Sequence, residues 1–400
     1  MRTSSIISAI TVILTACSNQ QSAFLDKPVA LFYEYKIDQA LPLFQAAVKG
    51  HPDDATATAY LAETYRRTGQ DSLARVIAKQ ALLLDPCQGL AHVTLAYLDA
   101  NYTAGLIDYT THPEWDHLNQ RLECDSTNGN HWLGKWGEGE QRSDRLMVEL
   151  ALRKLVETGF LTPAALAYGR WMLATLPDSA ILLTNGDMDT FPPEALQVVE
   201  HYRTDVTILY RGQFNYAWGI KYYQDALGVE LGVSGAELAA MGTGADYGPM
   251  DQKILAHLAT SASNGSRPLA FAPTVDPDFY AAYADRLADM GAYLLFAPTP
   301  VTDNIRLSAI EASIAAIDPD RFVGPWASEQ DYSPVRRHYT RRGARNITNM
   351  ALEYCTSLIE LHRYPDARAT LDWVAAFEEK TELGHSFQER VAELEGKLGE

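Results

Sequence analysis

Three positions with fixed spacing, Ala40, Ala47 and Pro52, return as Ala74, Ala81 and Pro86, each displaced by 34 residues. Self-similarity of that length means that one supersecondary unit is repeated. A unit this small cannot bury its apolar face alone and must stack on a copy of itself. The alanines let two helices approach closely, and each proline stops the second helix of a pair because it has no N–H to donate and clashes with the preceding turn. This stretch is therefore confined to stacked antiparallel helix pairs.

The pattern resembles the tetratricopeptide repeat. Phe44 stands at the large apolar position of a second helix, and Leu61, Tyr65 and Gly69 fall at first-helix and turn positions of the next unit. A third unit opens at Gly89 with His92, Leu95 and Ala96 and loses register near Tyr102. An array this short has two readings: it caps the following domain, or it offers a concave groove to a partner peptide.

Residues 1–16 resemble a bacterial lipoprotein signal. Arg2 supplies the positive start, Ile6 to Leu14 a short apolar run, and Leu14-Thr15-Ala16-Cys17 a lipobox. Cys17 is then the lipidation residue, and the mature chain is expected to be anchored by it in the cell envelope. Ser18, where an aspartate would favour the inner membrane, points to an outer-membrane lipoprotein facing the periplasm or the cell surface. No later stretch approaches the roughly 20 apolar residues of a membrane-spanning helix.

The 400 residues are 47% apolar, enough for more than one core, and carry a formal charge of −18. An acidic surface repels phosphate, which argues against nucleic acid as a partner. Beyond Cys17 the cysteines are Cys87, Cys124 and Cys355. Cys87 and Cys124 either pair, as an oxidising compartment permits, or remain buried thiols.

Residues 103–145 read as an irregular Trp/Gly-rich insertion around Asn128-Gly129-Asn130-His131-Trp132-Leu133-Gly134-Lys135-Trp136. Its indoles suit either sugar stacking or packing on the domain below. His112, Glu114, Asp116, His117, Cys124 and His131 assemble on paper into a metal site, although their spacing matches no established ligand pattern.

From residue 146 two helices lead into alternating strands and helices. Strands are expected at Ser179–Thr184, Asp205–Tyr210, Pro268–Ala272 and Ala292–Ala297, with helices at Pro192–Tyr202, Trp218–Leu227, Gln252–Ser261 and Asp278–Met290. Such alternation implies right-handed crossovers and a parallel sheet whose carboxyl edge holds the ligand. The strand exits then supply the candidate ligand-binding residues: Asn185, Asp187, Asp189 and Thr190; Arg211, Asn215 and Trp218; Thr274 and Asp276. Asp187 and Asp189 can chelate a hard cation or act as acid and base, whereas Asp189 or Thr190 can instead cap the next helix. A second candidate is the anion-binding cluster Arg336, Arg337, Arg341 and Arg342. No Gly-x-Ser-x-Gly elbow, His-Glu-x-x-His pair or phosphate-binding glycine loop occurs, and no cofactor is expected.

Ala180–Pro192, Arg203-Thr204-Asp205-Val206, Asn215, Trp218 and Arg267–Phe271 together resemble the soluble C-terminal region of a bacterial multi-spanning membrane family related to transmembrane protein O-mannosyltransferases. The likeness runs from about residue 165 to 380. It departs at Met188, where the family has asparagine, and at Pro193-Glu194, where it has bulky apolar residues. The transferase portion has no counterpart here, so the resemblance transfers no catalytic residue. It implies a detached extracytoplasmic domain that handles a glycan or a glycosylated protein.

The expected architecture is α/β plus all-α, with tetratricopeptide-like helical repeats flanking a Rossmann-like three-layer domain with a mainly parallel sheet. Along the chain this gives a signal (1–16), a tether (17–27), repeats (28–102), the insertion (103–145), the α/β domain with its leading helical pair (146–330) and a C-terminal helical segment (331–400). The expected function is a lipid-anchored envelope binding or assembly protein, non-catalytic, with a protein partner on the repeats and a glycan as a second ligand. The alternative is an extracytoplasmic enzyme acting on glycans through Asp187 and Asp189.

Overall fold

The computed structural model describes residues 23–99, 113–242, 250–322, 334–381 and 387–399. The signal, Cys17 and most of the tether lie outside the described residues, as do the side chains of Asp187 and of residues 334–342. Four helices carry the 34-residue pattern after a short α1 (Asp26–Tyr33): α2 (Ile37–Gly50), α3 (Ala55–Arg67), α4 (Asp71–Leu84) and α5 (Gly89–Asp99). The repeated alanines Ala40, Ala47, Ala74 and Ala81 are all buried, as are Phe44, Leu61 and Leu95. Gly69 takes φ +73° between α3 and α4, a left-handed turn open to glycine without strain. Asp54 caps α3, accepting from the Ala57 amide at 2.8 Å.

Where it is described, the expected insertion forms two helices joined by a short turn. Helices α6 (Pro113–Cys124) and α7 (Gly129–Gln141) continue the stack into α8 (Arg145–Glu157) and α9 (Pro163–Ala174). Glycine density suggests a loop, but here the glycines permit close packing. A Cβ on Gly129 would stand 2.3 Å from Phe160, and one on Gly139 would stand 2.8 Å from Val148. Cys87 and Cys124 form a disulfide that ties the start of α5 to the end of α6. Cys355 is a buried thiol.

The sheet has five strands in the order β2-β1-β3-β5-β4: β1 (Ile181–Thr184), β2 (Thr207–Tyr210), β3 (Leu269–Phe271), β4 (Leu287–Asp289) and β5 (Leu294–Phe296). β1 pairs in parallel with β2 and β3, whereas β5 runs antiparallel to β3 and to β4. The sheet is thus mixed, which corrects the expectation of a mainly parallel one. The correction begins at 278–290, where a short α14 (Pro277–Tyr280) and a 3-10 stretch give way to β4. Gly291 at φ +89° then turns the chain back, and its amide donates to Asp289 Oδ1 at 2.8 Å. A tight hairpin replaces the crossover, so the exit of β5 lies at the opposite end of the sheet from those of β1, β2 and β3.

Helices α10 (Phe191–Glu200), α11 (Ala217–Asp225), α12 (Gly235–Gly242), α13 (Met250–Ser263) and α15 (Asp303–Ala315) accompany the strands, and α16 (Pro334–Glu360), α17 (Tyr364–Thr381) and α18 (Gln388–Gly399) close the chain. One continuous apolar core runs from Trp136 through the sheet to Val374, Phe377 and Leu394, so the C-terminal helices share the core of the sheet. The first repeats keep two small cores of their own, built around Phe32 and Phe44 and around Ala78 and Leu95.

Candidate functional site

At the carboxyl edge of the three parallel strands the predicted residues meet in two pairs. Arg211 Nε, just past β2, donates to Asn185 Oδ1 just past β1 at 2.7 Å, and the Arg211 guanidinium lies 4.9 Å from the centre of the Phe279 ring. Asp189 is buried, and its Oδ2 accepts from the Asn185 amide at 2.9 Å and from the Thr274 hydroxyl beyond β3. One carboxylate oxygen thereby pins the exits of β1 and β3 together. A carboxylate held this way acts as a brace, because desolvating it is offset by two donors.

The remaining residues serve local roles. Thr190 does not cap α10: its hydroxyl meets that of Thr184 at 2.7 Å inside the sheet edge. Asp276 caps α14, accepting from the Asp278 amide at 3.0 Å. Trp218 stacks on Tyr216 at 5.5 Å, and Asn215 is exposed. The side chains of Asp187, Arg336, Arg337, Arg341 and Arg342 lie outside the described residues.

The metal set is not brought together among the described residues, where no group of His, Cys, Asp and Glu could hold an ion. Cys124 is consumed by its disulfide, and His131 Nδ1 sits 2.8 Å from the Asp125 carbonyl. His117 instead faces His92 across 3.3 Å between their Nδ1 atoms and Asp99 across 3.5 Å. Burial lowers the pKa of both rings and lifts the Glu114 carboxyl beside them to about 7.

A pair of acids that sequence reasoning missed, one on α7 and one on α10, is brought together by the fold. Glu140 is buried and accepts from Gln213 Nε2, while Glu194 on α10 accepts from Trp136 Nε1 at 3.1 Å. Trp136 is itself buried and packs edge-on against Phe191 at 4.7 Å, so of the two indoles it is a packing residue rather than a sugar platform. Burial pushes Glu194 up to about 7, against the Trp136 hydrogen bond and the Arg145 charge. Burial, then repulsion from Glu194, raises Glu140 well above the carboxylate range. Glu194 also lines a cavity of about 330 Å3 between α8, α10, α11 and β2. The available signal was the departure at Pro193-Glu194, an acid where the resembling family places an apolar residue.

The Arg203-Thr204-Asp205-Val206 run has a structural task. Arg203 donates to the carbonyls of Leu173 (2.8 Å), Leu176 (2.9 Å) and Pro177 (3.0 Å), and it pairs with Asp205. The end of α9 is thereby fastened to the entry of β2.

On the repeats, α4 turns Ala74, Ala78 and Ala81 inward and exposes Leu73 (47%), Val76 (63%) and Leu83 (87%) on its other side. Those spacings place the three side chains along one face.

Sequence comparison finds two matches along the chain. Residues 31–92 match the tetratricopeptide repeat, and residues 165–227 match TMEM260-associated domain 2. No curated protein matches the chain. The chain thus joins tetratricopeptide-like helical repeats to a small mixed α/β domain. Its α/β portion, from α9 to the end of α11, is similar to the TMEM260-associated module.

Proposed function

We propose that this protein is a lipid-anchored binding or assembly factor of the cell envelope that holds a protein partner on its repeats and performs no chemistry at the strand exits. The observation that carries the reading is the apolar stripe Leu73, Val76 and Leu83 on α4, exposed on a chain of net charge −18. Tetratricopeptide repeats generally mediate protein–protein contact, and exposed apolar side chains aligned on one helix face are what an interface desolvates. The Cys87–Cys124 disulfide supports an oxidising compartment, in keeping with the leader and with lipidation at Cys17. The use of Asp189 as a brace speaks against the alternative in which it binds a metal or transfers a proton to a glycan.

Crosslinking in intact cells, followed by purification of the mature protein, tests the reading. The triple variant Leu73→Glu, Val76→Glu, Leu83→Glu should keep its Tm and lose the crosslinked partner. An unchanged crosslinking pattern would move the interface elsewhere. Cys17→Ala should abolish acyl labelling, and persistent labelling would remove the anchor.

A further inference from the structure

β2 is an edge strand, and its outward backbone groups can be accounted for one by one. Thr207 N–H donates to the Ala180 carbonyl at 2.9 Å, so Thr207 and Leu209 turn their amides to β1 and the even-numbered residues turn theirs outward. The Val206 carbonyl accepts from Gln197 Nε2 at 2.8 Å. The Tyr210 amide donates to the Tyr223 hydroxyl at 2.9 Å, and that hydroxyl returns a bond to the Tyr210 carbonyl at 3.3 Å. Side chains thus seal the strand above and below Ile208. Among the described residues nothing meets the outward N–H and C=O of Ile208 itself, and Ile208 lines the cavity of about 330 Å3 already described. Buried backbone groups are rarely left without partners.

The rest of the lining is charged in a telling way. Arg145 and Arg153 on α8 and His201 at the end of α10 face the cavity, set against Glu149 and Glu194. Glu149 accepts from Arg145 Nε at 3.0 Å, and among the described residues no hydrogen bond engages the two terminal amino groups of that guanidinium. Two guanidinium groups thus stand beside one open strand register in an acidic chain. We propose that the cavity binds the carboxyl end of an extended peptide, its last peptide unit pairing with Ile208 and its terminal carboxylate held by Arg145 and Arg153. Adding a strand at a sheet edge and capturing a terminal carboxylate are established ways to hold peptides, and here both elements lie in one cavity. Burial lifts Glu194 to about 7, so that near neutral pH about half of it is protonated and can donate to an acidic ligand that a carboxylate would repel. This site is separate from the α4 stripe and does not depend on it.

Calorimetric titration of the full mature chain with N-acetylated tripeptides, as free acids and as C-terminal amides, tests the proposal, with acetate as the minimal anion. The free acids should bind at least about tenfold more tightly than the amides and than acetate. Hydrogen exchange across residues 204–210 should slow on binding. The double variant Arg145→Ala, Arg153→Ala, which alters side chains at the cavity rim, should lose at least about tenfold in affinity. The triple α4 variant should bind as wild type does. Absence of free-acid binding at about 5 mM, equal binding of acid and amide, equal binding of acetate, or undiminished binding by the double arginine variant would each overturn the proposal.

Discussion

Arg203 and Asp205 form a two-pronged ion pair across a single intervening residue, Nε to Oδ1 and Nη2 to Oδ2, both at 2.9 Å. Arg203 stands at φ +48°, in the left-handed region, and this conformation accompanies the bonds from its guanidinium to three carbonyls at the end of α9. Asp205 in turn accepts from the Ser179 amide at 2.8 Å just before β1. The hydrogen bonds from Arg203 hold the Asp205 carboxyl well below the usual carboxylate range.

Truncating Arg203 therefore removes three carbonyl partners and leaves Asp205 without its counter-charge. Arg203→Ala should lose about 2 to 4 kcal/mol of stability in urea titration. Arg203→Lys should recover only part, because an ammonium cannot span the same fork. A loss below about 0.5 kcal/mol would mean that the pair is ordinary surface charge.

The disulfide makes a second prediction. Cys87 and Cys124 are 37 residues apart, and closing a loop of that length is worth about 4 kcal/mol in the chain-entropy account. Reduction, or the double change Cys87→Ala, Cys124→Ala, should lower Tm by several degrees. Limited proteolysis within residues 87–124 should then be faster than in the oxidised protein. An unchanged Tm in reductant would show that the helices hold this stretch unaided.

These features were unevenly legible in the sequence. The repeats were readable because Ala40, Ala74 and Ala81 recur at fixed spacing and each sits fully buried. β1, β2 and β3 were readable as apolar runs between turn residues. β5 was readable too, inside the strand expected at Ala292–Ala297, but its antiparallel direction was not, and β4 was missed because the stretch before it is rich in alanine, a helix former whose preference tertiary pairing overrides. At the strand exits the sequence offered Asn185, Arg211, Asp189 and Thr274 as ligand-binding candidates, and the structure joins them to one another by hydrogen bonds; composition cannot tell a brace from a ligand. Glu140 carried no signal and Glu194 only its departure from the resembling family, so their pairing was not readable. They lie on separate helices far apart in the chain, and only folding brings them to one place.

That acid pair sets the pH behaviour. A carboxyl whose folded pKa is raised contributes stability that is fully present below its unfolded value, near 4.5, and is lost as pH rises through its folded value, about 7 for Glu194. Stability should therefore fall between pH 4.5 and pH 7 by on the order of 2 kcal/mol from this group alone. Glu194→Gln keeps an acceptor for Trp136 Nε1 and carries no charge. It should be more stable than wild type at pH 8, equal to it near pH 4.5, and flatter in between. Thermal melts across that range decide the matter. A variant that follows the wild-type curve would mean that Glu194 ionises freely.

Helix α7 offers two glycines with opposite expectations. On propensity alone, replacing a mid-helix glycine by alanine gains up to about 1 kcal/mol. A methyl group added at Gly137 would meet nothing within 4 Å among the described residues, so Gly137→Ala should show that gain. At Gly139 the same methyl would stand 2.8 Å from Val148 Cγ2, 2.9 Å from its backbone nitrogen and 3.1 Å from the Asp144 carbonyl. Backbone atoms cannot step aside as a side-chain tip can, so α7 and α8 would have to separate. Gly139→Ala should accordingly lose about 1 to 3 kcal/mol, the usual range for overpacking. Because α8 supplies Arg145 and Arg153, it should also disturb the cavity beside β2, whereas Gly137→Ala should leave it intact. Equal stability of the two variants would mean that α7 does not lie against α8 as described, and that the glycines of this stretch mark a loop after all.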